Sequence, residues 1–280
     1  MKRRTFLVEK PSRVEAVLRG ELSIDRDEAF ALVTRGAVYV DGRRAKDAAA
    51  RVAEGSKVMV VLEESGEAVT APSVRPKQLV VLYEDRDVLA VDKPAGVTAQ
   101  PTPGRVGDSL LDLASDYLKR QAGLVHRLDR ETSGVTVFGK TPAATSALAE
   151  AFREGRAKKE YLAITESGLP ESGVIELPLS RDPSRPGRWR ATTQANGITA
   201  VTHFERRAQN DDFAVVALFP QTGRTHQLRA HLTGLGFPIV GDKLYGGVEG
   251  PRCLLHAVKL QIDALSLEAP VPADLQRYLP

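Results

Sequence analysis

The chain has 280 residues, of which 42% are hydrophobic and 27% are charged. This composition is typical of globular proteins, and the length allows two domains at roughly 150 residues each. A single cysteine, Cys253, excludes an intramolecular disulfide and a cysteine-rich zinc site. No apolar run approaches the roughly 18 residues that span a bilayer, and the start MKRRTFLVEK has too few apolar residues for a secretory signal. We therefore expect a cytoplasmic protein without a membrane partner.

The first 66 residues are predicted to form a small domain of two helices and a hairpin. Apolar residues recur at helical spacing over 14–18 and again over 29–33. The Asp41–Gly42 pair then predicts a tight turn between two short strands, and residues 53–62 predict a turn and a closing strand.

The sequence after residue 66 differs in composition and in predicted secondary structure. Residues 67–76 contain two prolines and few large apolar residues, which is typical of a linker. The remaining residues, 77–280, are dominated by predicted strands, with helices over 109–121 and 143–152 and a third beginning near Thr225. Because helices and strands alternate irregularly, without the rhythm of a parallel sheet, we predict an α+β fold with a mixed, mostly antiparallel sheet and a central cleft.

Charge is informative through its distribution, since 39 basic and 36 acidic residues leave a net charge of only +3. The segment RDPSRPGRWR, residues 181–190, places four arginines around Trp189 with one acidic residue. Such runs are most often solvated surface charge. Guanidinium groups bind phosphates and stack on bases, so an aromatic residue among arginines also favours RNA.

The segment GLVHRLDRETSGVTVFGK, residues 123–140, is the most unusual in the chain. Alternation predicts a strand over 124–128, followed by a turn and a second strand over 135–138. Asp129 then lies where the first strand ends, close to Arg127 and Arg130 in sequence. An ionised carboxylate held this way suits nucleophilic catalysis at a sugar or base carbon. On charge pattern alone, a salt-bridged aspartate in a turn is the favoured interpretation.

A second segment, residues 218–236, reads LFPQTGRTHQLRAHLTGLG. The glycine-containing loop precedes a helix for which Thr225 is a candidate N-cap, and Arg224 makes the loop a plausible anion site. Arg229 sits beside the apolar stripe and enters the core only if it meets a buried carboxylate; otherwise its stem covers the surface. The predicted stripe consists of Leu228, Leu232 and Leu235.

Other candidate sites are weaker. Tyr161, in the strand KKEYLAITE, is either half-buried packing or a ring that stacks on a substrate base with its hydroxyl available for proton transfer. His226 and His231 are five residues apart and do not share a helix face, and no phosphate-binding or complete dinucleotide-binding glycine motif is present. We therefore expect no metal and no cofactor.

Five segments together resemble the RluA-like family of RNA pseudouridine synthases, in family order and across essentially all of residues 77–280. They are VDKPAGV (91–97), LVHRLDRETSGV (124–135), KKEYLAI (158–164), TGRTHQLRAHL (222–232) and the following GFPIVGDKLYGG.

The resemblance implies that Asp129 is catalytic, that Tyr161 contacts the target base and that Arg229 pairs with Asp129. It also implies that Arg127 displaces or holds a flipped nucleotide, since the base must leave its stack before reaction. The reaction that the resemblance implies is the isomerisation of uridine to pseudouridine, which involves no redox change. Three roles for Asp129 stay open: attack on the sugar, attack on the uracil ring, or abstraction of a ribose proton. The predicted substrate-binding residues are Arg127, His126, Arg224, His226 and Gln227.

Residues 1–66 are similar to the S-four-type RNA-binding domain, through RDEAFALVTRGAVYVDGRRA. The expected partner is therefore RNA, with ribosomal RNA preferred over transfer RNA. We expect no binding to DNA, and we expect the protein to be a monomer. A non-catalytic RNA-binding or ribosome-assembly protein is the alternative, and an aspartate-nucleophile glycosidase is disfavoured because it needs a second carboxylate as acid and no acid paired with Asp129 is evident. The predicted RNA-binding residues are Arg35, Arg43, Arg44, Lys46, Arg188 and Arg190.

Overall fold

The structure is a computed structural model. It describes residues 2–34, 36–45, 47–62, 79–101, 109–185, 187–193 and 197–279. Contacts between residues divide the chain into two compact units, one formed by 1–75 with 98–119 and the other by 76–97 with 120–280. The predicted linker 67–76 lies outside the described residues, and the predicted domain limits 1–66 and 77–280 stay predictions.

The first unit consists of short helices and strands, and one apolar cluster packs its two N-terminal helices against its strands. Its elements are β1 (Lys2–Leu7), β2 (Ser12–Arg13), α1 (Val14–Leu22), α2 (Arg26–Thr34), β3 (Val38–Val40), β4 (Arg43–Arg44), β5 (Arg51–Val52), β6 (Lys57–Leu62) and α3 (Leu110–Leu118). The main sheet is antiparallel, with strand order β1-β6-β3-β4. The two predicted N-terminal helices and the closing strand are present. The edge strand β1 was not predicted, because its polar sequence KRRTFL gives no alternating signal.

Local chemistry explains two junctions in this unit. Asp25 begins α2 by accepting the backbone N–H of Glu28 at 2.8 Å, and Glu28 accepts the N–H of Asp25 at 3.1 Å in return. Between β3 and β4, Asp41 and Gly42 have φ values of 48° and 78°. Both lie in the left-handed region that a two-residue hairpin turn requires, so the predicted turn is confirmed.

The second unit is built on a large sheet. Its elements are β7 (Val80–Glu84), β8 (Val88–Lys93), β9 (Gly123–Leu124), β10 (Ser133–Gly139), α4 (Pro142–Arg153), β11 (Ala157–Glu166), β12 (Ser172–Ile175), β13 (Leu179–Arg181), β14 (Trp189–Ala191), β15 (Thr202–Gln209), β16 (Phe213–Pro220), α5 (Gln227–Gly234), β17 (Leu255–Ile262), β18 (Leu265–Glu268) and α6 (Ala273–Gln276).

Ten strands pair in this sheet, in the order β12-β15-β16-β11-β17-β10-β8-β7, with β18 on β17 and β9 on β10. Among the described residues, every pairing is antiparallel except that of β10 with β17. The strands β13 and β14 form a separate hairpin. The predicted α+β class with a mostly antiparallel sheet is therefore confirmed.

Two apolar clusters hold the helices of this unit to the sheet. Leu148 and Ala151 of α4 belong to a cluster with residues of β8, β10 and β17. Leu228 and Leu232 of α5 belong to another cluster, with residues of β11, β16 and β17. The second cluster fixes the position of α5, the helix that carries Arg229.

The parallel pair depends on Gly134. This residue has φ +114°, and a Cβ added to it would lie 2.2 Å from the backbone oxygen of Ala257 in β17. Only glycine allows β10 to approach β17 this closely. The approach fixes the start of β10, immediately after the segment that carries Asp129.

Three details of the second unit differ from the sequence predictions. The strand predicted over 124–128 ends at Leu124, because the β10 backbone N–H of Val137 donates to the His126 ring and not to a neighbouring strand. Thr225 is not the N-cap of α5: His226 occupies that position with φ 56°, and the Gln227 side chain accepts the N–H of Arg224 at 3.0 Å in the turn before the helix. Leu235 follows the helix and is 37% exposed, so it is not part of the buried stripe.

Candidate active site

Asp129 lies in the loop that enters β10. Its backbone oxygen accepts the N–H of Thr132 at 3.1 Å, which closes a turn. The next residue, Arg130, donates from Nε to the oxygen of Gly96 at 3.1 Å and accepts the N–H of Gly96 at 2.8 Å. The Asp129 side chain is 24% exposed. The loop is thus tied down on both sides while the carboxylate keeps access to solvent.

Lys93 supports this loop from inside the protein. Its side chain is fully buried, and Nζ donates to the backbone oxygens of Val97, Pro94 and Arg130 at 2.8, 3.0 and 3.1 Å. Burial lowers the pKa of Lys93 to about 7, although the charge of Asp129 acts in the opposite direction. Lys93 therefore joins the end of β8 to the residue that follows Asp129.

Arg229 extends from α5 and is 6% exposed. Its Nε and Nη2 donate to the two carboxylate oxygens of Asp242 at 2.6 and 2.8 Å. Its Nη1 lies 3.6 Å from Oδ2 of Asp129. The structure therefore brings Arg229 and Asp129 together, and it also reveals Asp242 as the principal carboxylate that binds the buried arginine.

Arg229 pairs more closely with Asp242 than with Asp129. Burial disfavours the charged form of Arg229, but hydrogen bonds and the charge of Asp242 outweigh it and hold the pKa of Arg229 above its ordinary value. A two-point ion pair of this kind is strong and fixes the plane of the guanidinium. Because Asp242 already balances Arg229, the contact with Asp129 orients the Asp129 carboxylate without fully neutralising it.

Tyr161 lies on β11, between Leu218 of β16 and Ala257 of β17. Burial raises the pKa of Tyr161 above its usual range, and the negative charge of Asp129 raises it further. The phenol is therefore protonated over the physiological pH range. It offers a ring face and one hydroxyl donor near the Asp129 carboxylate.

His226 and Tyr245 complete the group around Arg229. The Nδ1 of His226 lies 3.1 Å from the hydroxyl of Tyr245, and the Tyr245 ring centroid lies 4.8 Å from the guanidinium carbon of Arg229. Burial lowers the pKa of His226, so its imidazole is neutral at pH 7.

Two predicted substrate-binding side chains make internal hydrogen bonds. The Gln227 amide accepts from the hydroxyl of Thr222 at 2.7 Å and donates to the oxygens of Val201 and Thr202, both at 3.0 Å. The His126 ring accepts the N–H of Val137 at 3.0 Å and stacks on Phe152 at 4.6 Å. Burial lowers the pKa of His126 to about 3, so this ring is also neutral.

The predicted arginines are more exposed. Arg127 is exposed two residues before Asp129, and Arg224 is exposed in the loop before α5, where Nε donates to the oxygen of Thr199. Arg188 is half-buried and Arg190 is exposed, both in the β13–β14 hairpin. Arg43 and Arg44 form β4 in the first unit. The remaining two predicted RNA-binding residues, Arg35 and Lys46, lie outside the described residues.

The described part of the chain contains no group of three or more histidine, cysteine, aspartate or glutamate side chains that could hold a metal ion. Over the same residues, no helix is long and apolar enough to cross a membrane. The groups that can act are a carboxylate open to solvent, an oriented guanidinium and a neutral phenol. They suit reaction at an electrophilic carbon or removal of a proton.

Sequence patterns alone predict no role for Asp242, Tyr245 or Lys93. The available signals were weak: an acid flanked by glycine in VGDKLYGG and a lysine before proline in VDKPAGV. Neither pattern shows which residue the side chain contacts, because each of these side chains contacts a residue that is remote in sequence.

Comparisons with known proteins show what this chain is similar to. Residues 87–233 match the family model described as RNA pseudouridylate synthase. A Zymomonas mobilis RNA pseudouridine synthase is 43% identical over 69% of this chain and 93% of its own length. The ribosomal large subunit pseudouridine synthase D of Xanthomonas campestris is 35% identical over 95% of this chain and 88% of its own length.

A solved structure of similar fold is human RNA pseudouridylate synthase domain containing 1. It superposes with a TM-score of 0.62 and 28% identity, covering 76% of this chain and 89% of the human chain. The matched family region includes Asp129, Tyr161 and Arg229, whereas Asp242 and Tyr245 lie beyond its end.

Proposed function

This chain belongs to the RNA pseudouridylate synthase family, and from that premise we propose that Asp129 is its catalytic carboxylate. The protein is an isomerase that acts on RNA and converts uridine to pseudouridine. The reaction breaks the bond between N1 of uracil and the ribose, rotates the base and joins carbon 5 to the same ribose carbon. The proton that leaves carbon 5 is balanced by one gained at N1.

The observation that carries the proposal is the contact of 3.6 Å between Arg229 and Asp129. The guanidinium is anchored by Asp242, so it presents its third nitrogen to Asp129 in a fixed direction. A preorganised group of this kind avoids reorganisation during reaction. The partial exposure of Asp129 leaves room for a nucleotide that has left its stack.

The exposure, charge and hydrogen bonds of the other site residues suggest a role for each of them. We propose that the neutral Tyr161 ring stacks on the extruded uracil and that exposed Arg127 holds the flipped nucleotide. Exposed Arg224 and neutral His226 are proposed to contact the RNA near the loop before α5. His126 and Gln227 stay predicted substrate contacts, and their internal hydrogen bonds support a role in fixing the walls of the site.

Ribosomal RNA is the proposed substrate, because the relatives from Xanthomonas campestris and Borreliella burgdorferi are named ribosomal large subunit pseudouridine synthases. Transfer RNA is the alternative. The first unit is proposed to bind RNA as an S-four-type domain, through Arg43 and Arg44 together with Arg35 and Lys46. We further propose that the protein is a cytoplasmic monomer, as suits an enzyme that acts on RNA.

Substitution of Asp129 tests the catalytic role. We expect Asp129→Asn and Asp129→Ala to abolish pseudouridine formation while folding and RNA binding survive. Glu131→Gln is the matched control, since Glu131 is a neighbouring acid in the same loop that pairs with Arg130 at 3.5 Å. A folded Asp129→Ala protein with full activity would disprove the proposal.

The substrate is identified by mapping pseudouridines in total RNA from cells that contain or lack the protein. Sites that disappear from ribosomal RNA support the proposed substrate. Sites that disappear only from transfer RNA favour the alternative. Restoration of those sites by the wild-type gene, and not by the Asp129→Asn gene, links them to this active site.

A further inference from the structure

Tyr245 contacts the active site, and the roles proposed above leave it unused. Its side chain is 3% exposed. Its backbone N–H donates to the backbone oxygen of Asp242 at 3.1 Å and lies 3.2 Å from Oδ1 of the same residue. The carboxylate that binds Arg229 therefore also holds Tyr245.

The ring of Tyr245 contacts two guanidinium groups. The central carbon of Arg229 lies 4.8 Å from the ring centroid, and that of Arg188 lies 5.2 Å from it. Cations within about 6 Å of an aromatic ring are attracted to its face. Arg229 belongs to the active site, whereas Arg188 belongs to the β13–β14 hairpin. A movement of the ring thus changes the surroundings of both cations.

The hydroxyl of Tyr245 fixes the ring to the hairpin. It accepts the backbone N–H of Trp189 at 3.0 Å, and it lies 3.1 Å from Nδ1 of His226. Burial raises the pKa of Tyr245 to about 12, so the hydroxyl is protonated and shares a hydrogen bond with the neutral His226 ring. One side chain therefore connects the first residue of β14 with the residue that precedes α5.

Arg188 is half-buried beside the Asp182 carboxylate. Its Nε is buried and has no hydrogen-bond partner among the described residues. Oδ2 of Asp182 lies 3.6 Å from it, beyond hydrogen-bond distance, while Oδ1 of Asp182 accepts the N–H and the hydroxyl of Ser184. The Arg188 side chain keeps 20% of its surface exposed, and an exposed part of a guanidinium is suited to a phosphate oxygen.

We propose that Tyr245 is a positioning residue that couples RNA contact at Arg188 to the orientation of Arg229 beside Asp129. The inference rests on the proposed function, because it assumes that the hairpin meets the RNA substrate. A backbone phosphate of the RNA binds the Arg188 guanidinium and fixes it over the Tyr245 ring. The ring in turn restricts the Arg229 guanidinium, whose Nη1 faces Asp129. Binding energy from the RNA backbone is thereby used to align the catalytic carboxylate.

Four variants separate the parts of this coupling. Tyr245→Leu removes the ring, and Tyr245→Phe keeps the ring but removes the hydroxyl. Arg188→Gln removes the cation on the hairpin, and it is also combined with Tyr245→Leu. Tyr278→Leu is the matched control for loss of an aromatic ring, since Tyr278 packs edge-on against Phe213 at 5.1 Å and has none of the contacts described above.

Each variant is assayed for RNA affinity and for the single-turnover rate at saturating RNA. We expect Tyr245→Leu to lower the saturating rate about tenfold or more while RNA affinity changes by less than about threefold. Tyr245→Phe restores most of the rate. Arg188→Gln weakens RNA binding about fivefold and lowers the saturating rate, because one phosphate contact and one ring contact are lost. In the Tyr245→Leu background, Arg188→Gln weakens binding but lowers the rate no further.

The coupling is disproved if folded Tyr245→Leu keeps the wild-type saturating rate, or if the effects of the two substitutions on that rate are additive. If Tyr245→Leu does not fold, Arg188→Gln alone decides: an unchanged saturating rate disproves the coupling. Failure of the proposed function has a different signature, an inactive wild type or a fully active Asp129→Ala protein. Neither result resembles a change confined to the Tyr245 and Arg188 variants.

Discussion

Arg229 donates two hydrogen bonds, of 2.6 and 2.8 Å, to the two carboxylate oxygens of Asp242. Asp242 is 1% exposed, so this pair is buried on both sides. Removing one member of a buried ion pair leaves an uncompensated charge, which costs more than the pair contributes when intact. The position of Arg229 therefore depends on a carboxylate outside the motif that contains this arginine.

The first prediction concerns Asp242→Asn. We expect the free energy of unfolding to fall by about 3 kcal/mol, because the buried Arg229 charge loses its principal counter-ion. We also expect the saturating rate to fall, since Nη1 of Arg229 is no longer held toward Asp129. Urea unfolding and single-turnover assays measure the two effects. Glu268→Gln, in an exposed pair with Lys259 at 2.7 Å, is the control and changes stability by less than about 1 kcal/mol. A stable, fully active Asp242→Asn protein would contradict this account.

Gly134→Ala tests the close approach of β10 to β17. The added Cβ would lie 2.2 Å from the backbone oxygen of Ala257, so the strands must separate. We expect a loss of about 4 kcal/mol or more in unfolding free energy, measured by urea denaturation. Gly155→Ala is the matched control, because Gly155 also has positive φ but a Cβ there meets nothing within 4 Å. Its cost is expected to be only about 1–2 kcal/mol. Equal losses in the two variants would disprove the steric argument.

The lowered pKa of Lys93 predicts that the stability of the protein depends on pH. Burial lowers its pKa from 10.5 to about 7 in the folded protein, so between these pH values the unfolded chain binds more protons. Stability contributed by Lys93 therefore rises as the pH increases from about 7 to about 10. We expect the difference in unfolding free energy between wild type and Lys93→Met to widen over this range. A constant difference would mean that the three carbonyl acceptors keep the pKa of Lys93 near its ordinary value.

Arg43 and Arg44 test the proposed role of the first unit. We expect the double substitution to Gln to weaken RNA binding and to reduce the slope of log affinity against log salt by about 1–2, because phosphate contacts are lost. The saturating rate should stay unchanged, since neither residue belongs to the active-site group. Arg19→Gln is the control, as Arg19 pairs with Glu15 within α1 at 3.7 Å. An unchanged salt slope in the double variant would show that β4 does not meet the RNA.

Local sequence determined much of the fold. The helices predicted from helical spacing, the Asp41–Gly42 turn and most of the predicted strands are present, because each of these signals depends on residues a few positions apart. Errors arose where a side chain replaced a backbone partner. His126 accepts the N–H of Val137 and ends the strand predicted over 124–128, and the Gln227 side chain, not the predicted N-cap Thr225, accepts a backbone N–H just before α5.

The site divides in the same way. The ordered motifs of the sequence by itself predict roles for Asp129, Tyr161 and Arg229, and the sequence also predicts that Arg229 enters the core only if it meets a buried carboxylate. Only the tertiary structure decided that Asp242 is the main carboxylate and that Tyr245 joins Arg229 to the hairpin. The physical reason is that backbone propensities act over a few residues, whereas a buried charge is satisfied by whichever group the folded chain packs against it.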